Sequence, residues 1–560
     1  MSVNLSEAIL QVFIREGITD AFGIPGAGIN GFYAAMAHHR DDIHHITMRH
    51  EECCVHAASG YYRASGKLAL ALCTSGPGAT NFVTGIYSAN IDSIPIIAIT
   101  GQAVRSQLGR DAFQCVDIAA IAKPIAKHTV CITNPKTAMD EVIHALYMAQ
   151  EGKPGPVVID IPLDMQKCEV DFDINAYQPI TIQKPMLPVA AIKSAMCMIS
   201  RAQKPLILMG GGVVLAHAEQ QLLEFAETMN IPIATTYMAK GAVPYDHPLY
   251  VGTPGIQASQ ISGNKAMLDA DTVLAIGNRF TDRHTGTISL YKGSRKFIHI
   301  NIEPTEIGKI FAPDLGIVAD ARDAIQCLLD LAKSGKYTTT KHGASWTANY
   351  NQGSERKTDQ QEIPINPHRV FGEINKAFDA NTMFTTGCGI TQIWSGQLQK
   401  ISKARKYLVS GGAGTLGWDI PGAIGAMTAV KNANKAVCVM GDFGFTFHVQ
   451  ELATASTNKI PLIVIIINNA YLGLIRQNQK FAYGFEYGVS MPENQGDIDY
   501  VKVAEGFNCV AERVFSPDEL AAAFERAKKS DRPYVIDVVC EPQAHCSMGN
   551  DISTIIEWNT

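Results

Sequence analysis

The chain has 560 residues, 46% hydrophobic and 18% charged, which suggests about three to four ordered domains with large buried cores and excludes a disordered protein. Its net charge of −6, from 47 basic and 53 acidic side chains, argues against nucleic acid or a membrane surface as partner. No apolar stretch approaches the ~20 residues of a membrane span; Glu7 and Arg15 interrupt what would otherwise be a leader, and thirteen scattered cysteines without a CxxC pair read as reduced thiols of a cytoplasmic protein.

Residues 3–22 open with a helix that Ser6 can cap, whose apolar face is Ala8, Ile9, Val12 and Phe13, and which Gly17 stops. A short strand then leads into Gly23-Ile24-Pro25-Gly26-Ala27-Gly28, where the glycines suit either close approach to a ligand or a tight turn. A strand at 46–48 feeds a helix on which Glu51, Val55 and Ala58 share one face, and the run Ala57-Ala58-Ser59-Gly60 permits close packing. Glu51 thus stands at a helix N-terminus beyond a strand end, where a plain capping carboxylate has the same pattern. Strands at 68–73 and 94–100 end in Thr74-Ser75-Gly76-Pro77-Gly78 and Gly101-Gln102, and a further strand at 157–162 completes an alternating β/α domain over residues 1–170.

Residues 166–190 lose periodicity and read as a linker. A second α/β domain spans 188–335, with strands at 205–209, 231–235, 272–276 and 297–302. Gly210-Gly211-Gly212 after the first of these suits a pyrophosphate at a helix N-terminus, although the pattern is not GxGxxG. Polar residues 333–362 read as a second linker, and a third domain runs over 363–550. No short repeat is visible, but the first and third domains are α/β units of similar size, which permits a duplication.

The third domain carries the most informative stretch. A strand at 436–440 ends at Gly441-Asp442, a helix is expected over 447–457, and a β-branched strand at 462–467 ends at Asn468-Asn469. Strand, helix, strand is a parallel βαβ unit, so both strands finish on one edge, with Asp442 beside Asn468 and Asn469. A carboxylate and an amide carbonyl are hard oxygen ligands of the kind Mg²⁺ takes when it bridges protein to phosphate, and Gly441 and Gly444 let the backbone approach phosphate oxygens. An ordinary βαβ unit with polar strand ends shares the pattern.

Five motifs occur in one order: Arg49-His50-Glu51, Thr74 to Gly78, Gly277-Asn278-Arg279-Phe280 with Asp282-Arg283, Gly411 to Gly417, and Gly441-Asp442 with Asn468-Asn469. Together they resemble the thiamine-diphosphate carboligase family that contains the acetohydroxyacid synthases and glyoxylate carboligases. The resemblance covers the whole chain and implies three doubly wound parallel-sheet α/β domains: pyrimidine-binding, central FAD-associated, and diphosphate-binding. It implies thiamine diphosphate, Mg²⁺ and a structural FAD as cofactors, small 2-keto acids as substrates, and a homodimer or homotetramer with sites at subunit interfaces. In its terms Glu51 touches the pyrimidine N1′, Leu416 props the bent cofactor, and the Gly414 carbonyl accepts from the 4′-amine. Asp442, Asn469 and the Tyr471 carbonyl hold the metal. Pro25, Thr74, Gly78, Asn81, Gly389, Ile390, Phe443, Gly444, Leu472 and Gly473 complete the thiamine site; Gly28, Phe113 and Gln114 face the substrate. Gly210, Gly211, Gly212, Thr236, Arg279, Asp282, Asn301, Ile302 and Asp320 contact FAD, and Arg283 holds either a substrate carboxylate or an FAD phosphate. Phe113 as a core residue, and His50 and His448 as structural or acid/base groups, are the open alternatives.

Within the family, 414–418, 469–477, 277–286 and 117–124 look more like glyoxylate carboligases. Asn478 and Leu163 stand where acetohydroxyacid synthases carry tryptophan and lysine. Glu51 cuts the other way, because glyoxylate carboligases carry valine there. The expectation is decarboxylating joining of two glyoxylates to tartronate semialdehyde and CO₂, with acetolactate synthesis from pyruvate, or a non-redox 2-keto acid decarboxylase or lyase, as alternatives.

Overall fold

The computed structural model describes residues 2–339, 342–430, 435–495 and 498–558. Three six-stranded sheets, every strand pair parallel, lie between helices. Their strands are near-continuous apolar runs such as Leu462–Asn468 (LIVIIIN), buried along almost their whole length, as a sheet covered on both faces requires. Numbering strands within each six-stranded sheet in chain order, the first sheet runs 2-1-3-4-6-5 and so does the third. The shared order matches the similar size of the two domains. The middle sheet runs 3-2-1-4-5-6, the dinucleotide-fold order, whose switch point lies between Pro205–Met209 and Thr272–Ile276.

The first and third domains share one apolar core. Phe22, Val55 and Ala58 belong to the same buried cluster as Trp418, Ile424 and Leu452. At its centre the helix Glu51–Ser65 crosses the helix Asp419–Ala429 with no room between backbones. A Cβ on Gly60 would lie 1.9 Å from the Gly422 carbonyl oxygen, and one on Gly425 would lie 1.8 Å from that of Ala57.

Several expectations are corrected. The first helix is Leu5–Arg15 and its cap is Asn4, whose side chain accepts from the Glu7 N–H; Ser6 is buried and donates to the Gln166 carbonyl at 2.9 Å. The helix expected over 447–457 is two, Asp442–Phe447 and Glu451–Thr457, parted at His448. The first linker contains the strand Glu169–Asp171, paired antiparallel with Ser2–Asn4. The second contains the helix Gly343–Asn351; its residues 340 and 341 lie outside the described residues.

Candidate active site

Register places the two strand ends of the third domain together: Gly441 pairs with Ile467, and Asp442 Oδ2 accepts the Ala470 N–H at 2.7 Å. Oδ1 accepts the Phe443 N–H, also at 2.7 Å. Burial pushes the Asp442 carboxyl up to about 7, only partly opposed by these two bonds. Of the two asparagines, Asn468 is turned away and donates to Asp537 at 2.9 Å, whereas Asn469 is buried with its Nδ2 unpartnered. Gly473 has no side chain where Asn469 lies: its Cβ would fall 2.8 Å from Asn469 Nδ2. Tyr471 follows in an antiparallel bridge to Ser490, with the Arg476 guanidinium 4.4 Å over its ring, and the Leu472 N–H donates to Val489.

Strands 1 and 3 of this sheet are neighbours at its switch point, so the loop after Met383–Thr386 borders Asp442. There Gly389 has φ +129 with nothing within 4 Å of a Cβ position, and Ile390 begins the helix Ile390–Leu398. At Gly441 and Gly444 a Cβ would make only ordinary contacts, 3.5 Å from Thr391 Oγ1 and 4.0 Å from Leu416. Phe443 is partly exposed beside them. A buried carboxylate without a cation, an unpartnered amide and a glycine-lined opening together fit a magnesium diphosphate.

The loop carrying Gly414 and Leu416 is anchored from the first domain. Asp92 accepts the N–H groups of Gly411 and Gly412 at 3.1 and 2.8 Å and is itself paired with buried Arg63 at 2.8 Å. Gly414 has φ +64 and lies 3.4 Å, by its Cβ position, from Cys388 Sγ. The Gly417 carbonyl accepts from His448 Nδ1 at 3.0 Å.

Glu51 opens its helix, half-buried, behind the cap residue His50. It is not a bare surface carboxylate: Oε2 accepts from Asn81 Nδ2 at 2.9 Å, and Oε1 lies 3.3 Å from a Cβ position on Gly78. Thr74 Oγ1 accepts the Gly28 N–H at 3.1 Å, and a Cβ on Gly26 would strike Thr74, so the glycines around Pro25 serve loop-on-loop packing. Phe113 is 89% exposed, which removes the core alternative, and Gln114, at φ +55, rests on Gly76. Among the described residues no hydrogen bond joins Glu51 to the third domain.

Its neighbours do make that connection. Glu451 accepts the backbone N–H groups of Arg49 and His50 at 2.9 and 3.2 Å. Glu52 takes His56 at 3.1 Å and lies 3.7 Å from His448. Burial alone would raise the Glu52 carboxyl, but hydrogen bonds with His448 and His56 hold it well below the usual range. Burial would lower His448, yet its bond with Glu52 raises it above the usual imidazole value. Sequence reasoning missed Glu451, Glu52 and Asp92, whose partners across the two domains, Arg49, His448 and Gly412, lie hundreds of residues away.

A cavity of about 790 Å³, within the range of cofactor sites, opens at the switch point of the middle sheet. Gly211, Gly212, Thr236, Arg279, Asn301 and Ile302 line it, with Asp282, Arg283 and Asp320. Gly210 does not, contrary to expectation; its Cβ would strike the Gly277 carbonyl, so glycine serves packing there. Arg279 spans to the first domain, donating to the Ile91 carbonyl and lying 3.5 Å from Asp92, while Asp320 caps the helix Ala321–Lys333 and pairs with Lys184 at 3.1 Å. Arg283 is exposed, 3.8 Å from Asp282. The cavity reaches Gly389 and Gly414 of the third domain but neither Glu51 nor Asp442.

Three family models match in order: the thiamine pyrophosphate enzyme N-terminal TPP binding domain over residues 3–121, the central domain over 192–328 and the C-terminal TPP binding domain over 387–538. Among curated proteins, the chain is 42% identical to a glyoxylate carboligase of Escherichia coli O157:H7, covering 99% of this chain and 95% of that one. It is 38% identical, with the same coverage, to a probable acetolactate synthase large subunit of Methanococcus aeolicus. It is 37% identical to an acetolactate synthase large subunit of Corynebacterium glutamicum, covering 95% of this chain and 86% of that one. With the paired strand ends, the open glycine cradle and the helix-borne glutamate, these likenesses make the chain a member of the thiamine pyrophosphate enzyme family, a thiamine-diphosphate-dependent carboligase.

Proposed function

We propose that this carboligase joins two glyoxylates, releasing CO₂ and tartronate semialdehyde. The observation that carries this reading is the 42% identity, nearly end to end, to a glyoxylate carboligase, against 38% to a probable acetolactate synthase large subunit. Bound thiamine diphosphate supplies the nucleophilic carbon and the electron sink. Asp442, Asn469 and the Tyr471 carbonyl would hold Mg²⁺ and the diphosphate, with Gly389, Gly441 and Gly444 beside them. Glu51, kept in place by Asn81, would hold a proton for the pyrimidine, and Leu416 would pack against the cofactor and exclude water.

The central cavity reaches neither Glu51 nor the Asp442 edge, and we read the site as one completed by a second copy, in a homodimer or homotetramer. The central cavity takes FAD in a structural role: its glycine-lined floor and Arg279 suit a pyrophosphate, and the net reaction transfers no electrons. Thirteen unpaired cysteines suit a cytoplasmic setting, and no helix among the described residues is long and apolar enough to cross a membrane.

Acetolactate synthesis from pyruvate is the second reading, favoured by Glu51. Purified protein with thiamine diphosphate, Mg²⁺ and FAD, given glyoxylate or pyruvate separately, distinguishes the two by product mass. Tartronate semialdehyde from glyoxylate at the higher kcat/KM supports the first; acetolactate alone overturns it. Glu51→Gln, leaving turnover unchanged, would overturn the role of Glu51 in either.

A further inference from the structure

Beside Glu51 lies a cluster that the carboligase chemistry does not use. His50, Cys53 and His448 each offer a ligand atom, and these atoms all lie within 4.8 Å of one another. His50 and Cys53 come from the first turn of the helix Glu51–Ser65 and its cap; His448 comes from the break between Asp442–Phe447 and Glu451–Thr457. The two imidazole rings are 5.8 Å apart, tilted by 36°. Cys53 is fully buried and His448 is 5% exposed, while His50 is partly exposed.

The geometry points to a transition-metal site of the zinc type, held by His50, Cys53 and His448 with water in the fourth position. One thiolate and two imidazoles are a borderline-soft donor set that selects Zn²⁺ or Co²⁺ over Mg²⁺. In a tetrahedral zinc site donor atoms stand roughly 3.3–3.8 Å apart, so metal binding requires the present spacing to close by up to about 1–1.5 Å. His448 Nδ1 donates to the Gly417 carbonyl at 3.0 Å, which fixes the ring, and a metal on Nε2 would displace the proton that faces Glu52. His50 Nδ1 accepts the Glu52 N–H at 3.3 Å.

Charge argues the same way. Glu52 lies 3.7 Å from His448 Nε2, and Glu451 lies beside Cys53. These carboxylates offset the charge of a dication; on coordination Cys53 loses its proton to solvent and the sulfur lone pair goes to the metal. Such an ion would fasten the first domain to the third one residue from Glu51. The Asp442 edge, with oxygen donors only, is a different site for a different ion.

The test uses the full chain, stripped with a chelator and titrated with Co²⁺ in excess Mg²⁺, and does not depend on which keto acid is the substrate. The expected result is a thiolate-to-Co²⁺ charge-transfer band with tetrahedral d–d bands, saturating at one Co²⁺ per chain. In Cys53→Ala the charge-transfer band disappears, and in His448→Asn affinity falls by about 10–100-fold. Absence of the band in the wild-type chain at one equivalent overturns the site whether or not the variants fold. A band undiminished in Cys53→Ala assigns the ion to another thiol, such as exposed Cys197, and overturns it as well.

Discussion

Gly425→Ala tests the idea that backbone contact between the helices Glu51–Ser65 and Asp419–Ala429 sets where Glu51 stands. In a free helix this change stabilises by about 1 kcal/mol, because alanine loses less entropy than glycine. Here the added methyl would lie 1.8 Å from the Ala57 carbonyl oxygen, and the helices must part by about 1.2 Å to reach even 3.0 Å. Neither atom belongs to a side chain that can swing aside, so the strain sits at or above the upper end of the ~1–3 kcal/mol of ordinary overpacking. The net expectation is a loss of about 2 kcal/mol or more. Gly506→Ala is the control: it ends the helix Tyr500–Gly506 with nothing within 4 Å, and the same change there gains up to about 1 kcal/mol. Urea midpoints at matched slope measure both, and a thiamine diphosphate titration of each variant reports whether the displaced helix costs cofactor affinity. If Gly425→Ala is as stable as the wild type and binds the cofactor equally, the close packing does not position Glu51.

Two further outcomes follow from buried charge. Asp92→Asn leaves the Arg63 guanidinium buried without its carboxylate and puts an NH₂ where one oxygen accepted both that guanidinium and the Gly411 N–H, so urea unfolding should show a loss of about 3–5 kcal/mol, with weaker thiamine diphosphate binding through the loosened loop. Asp419 is fully buried with both carboxylate oxygens unpartnered, and burial pushes its carboxyl up to about 7 against an ordinary 3.8. A carboxyl raised by folding contributes stability below pH ~4 that is lost as pH climbs through ~7, on the order of 4 kcal/mol in all. Asp419→Asn should therefore gain on the wild type steadily across that window in urea midpoints taken at each pH; parallel profiles would refute the assignment.

What could be read from the chain alone was whatever neighbouring residues decide. The run Leu462–Asn468 is strand because β-branched residues fill it, and parallel crossing then forces its end beside Asp442 with no further information. Local signals failed where a distant partner chose the outcome. The break at His448 is invisible in an otherwise helical pattern, because what it serves is the reach of His448 to Gly417 and of Glu451 to the backbone of Arg49, 402 residues upstream. Ser6 looks like a cap until Gln166, from the far end of the domain, claims its hydroxyl. Gly210 looks like a phosphate glycine until the middle sheet brings Gly277 against it. The same division runs through the site. That Glu51 heads a helix follows from its own segment; that the helix is held at the third domain depends on Glu451, Asp92 and the glycine crossing, none of which a motif records. The catalytic residue types are therefore a local property of this sequence, while their alignment belongs to contacts between the first and third domains, and substitutions there should disturb the chemistry without touching a single motif residue.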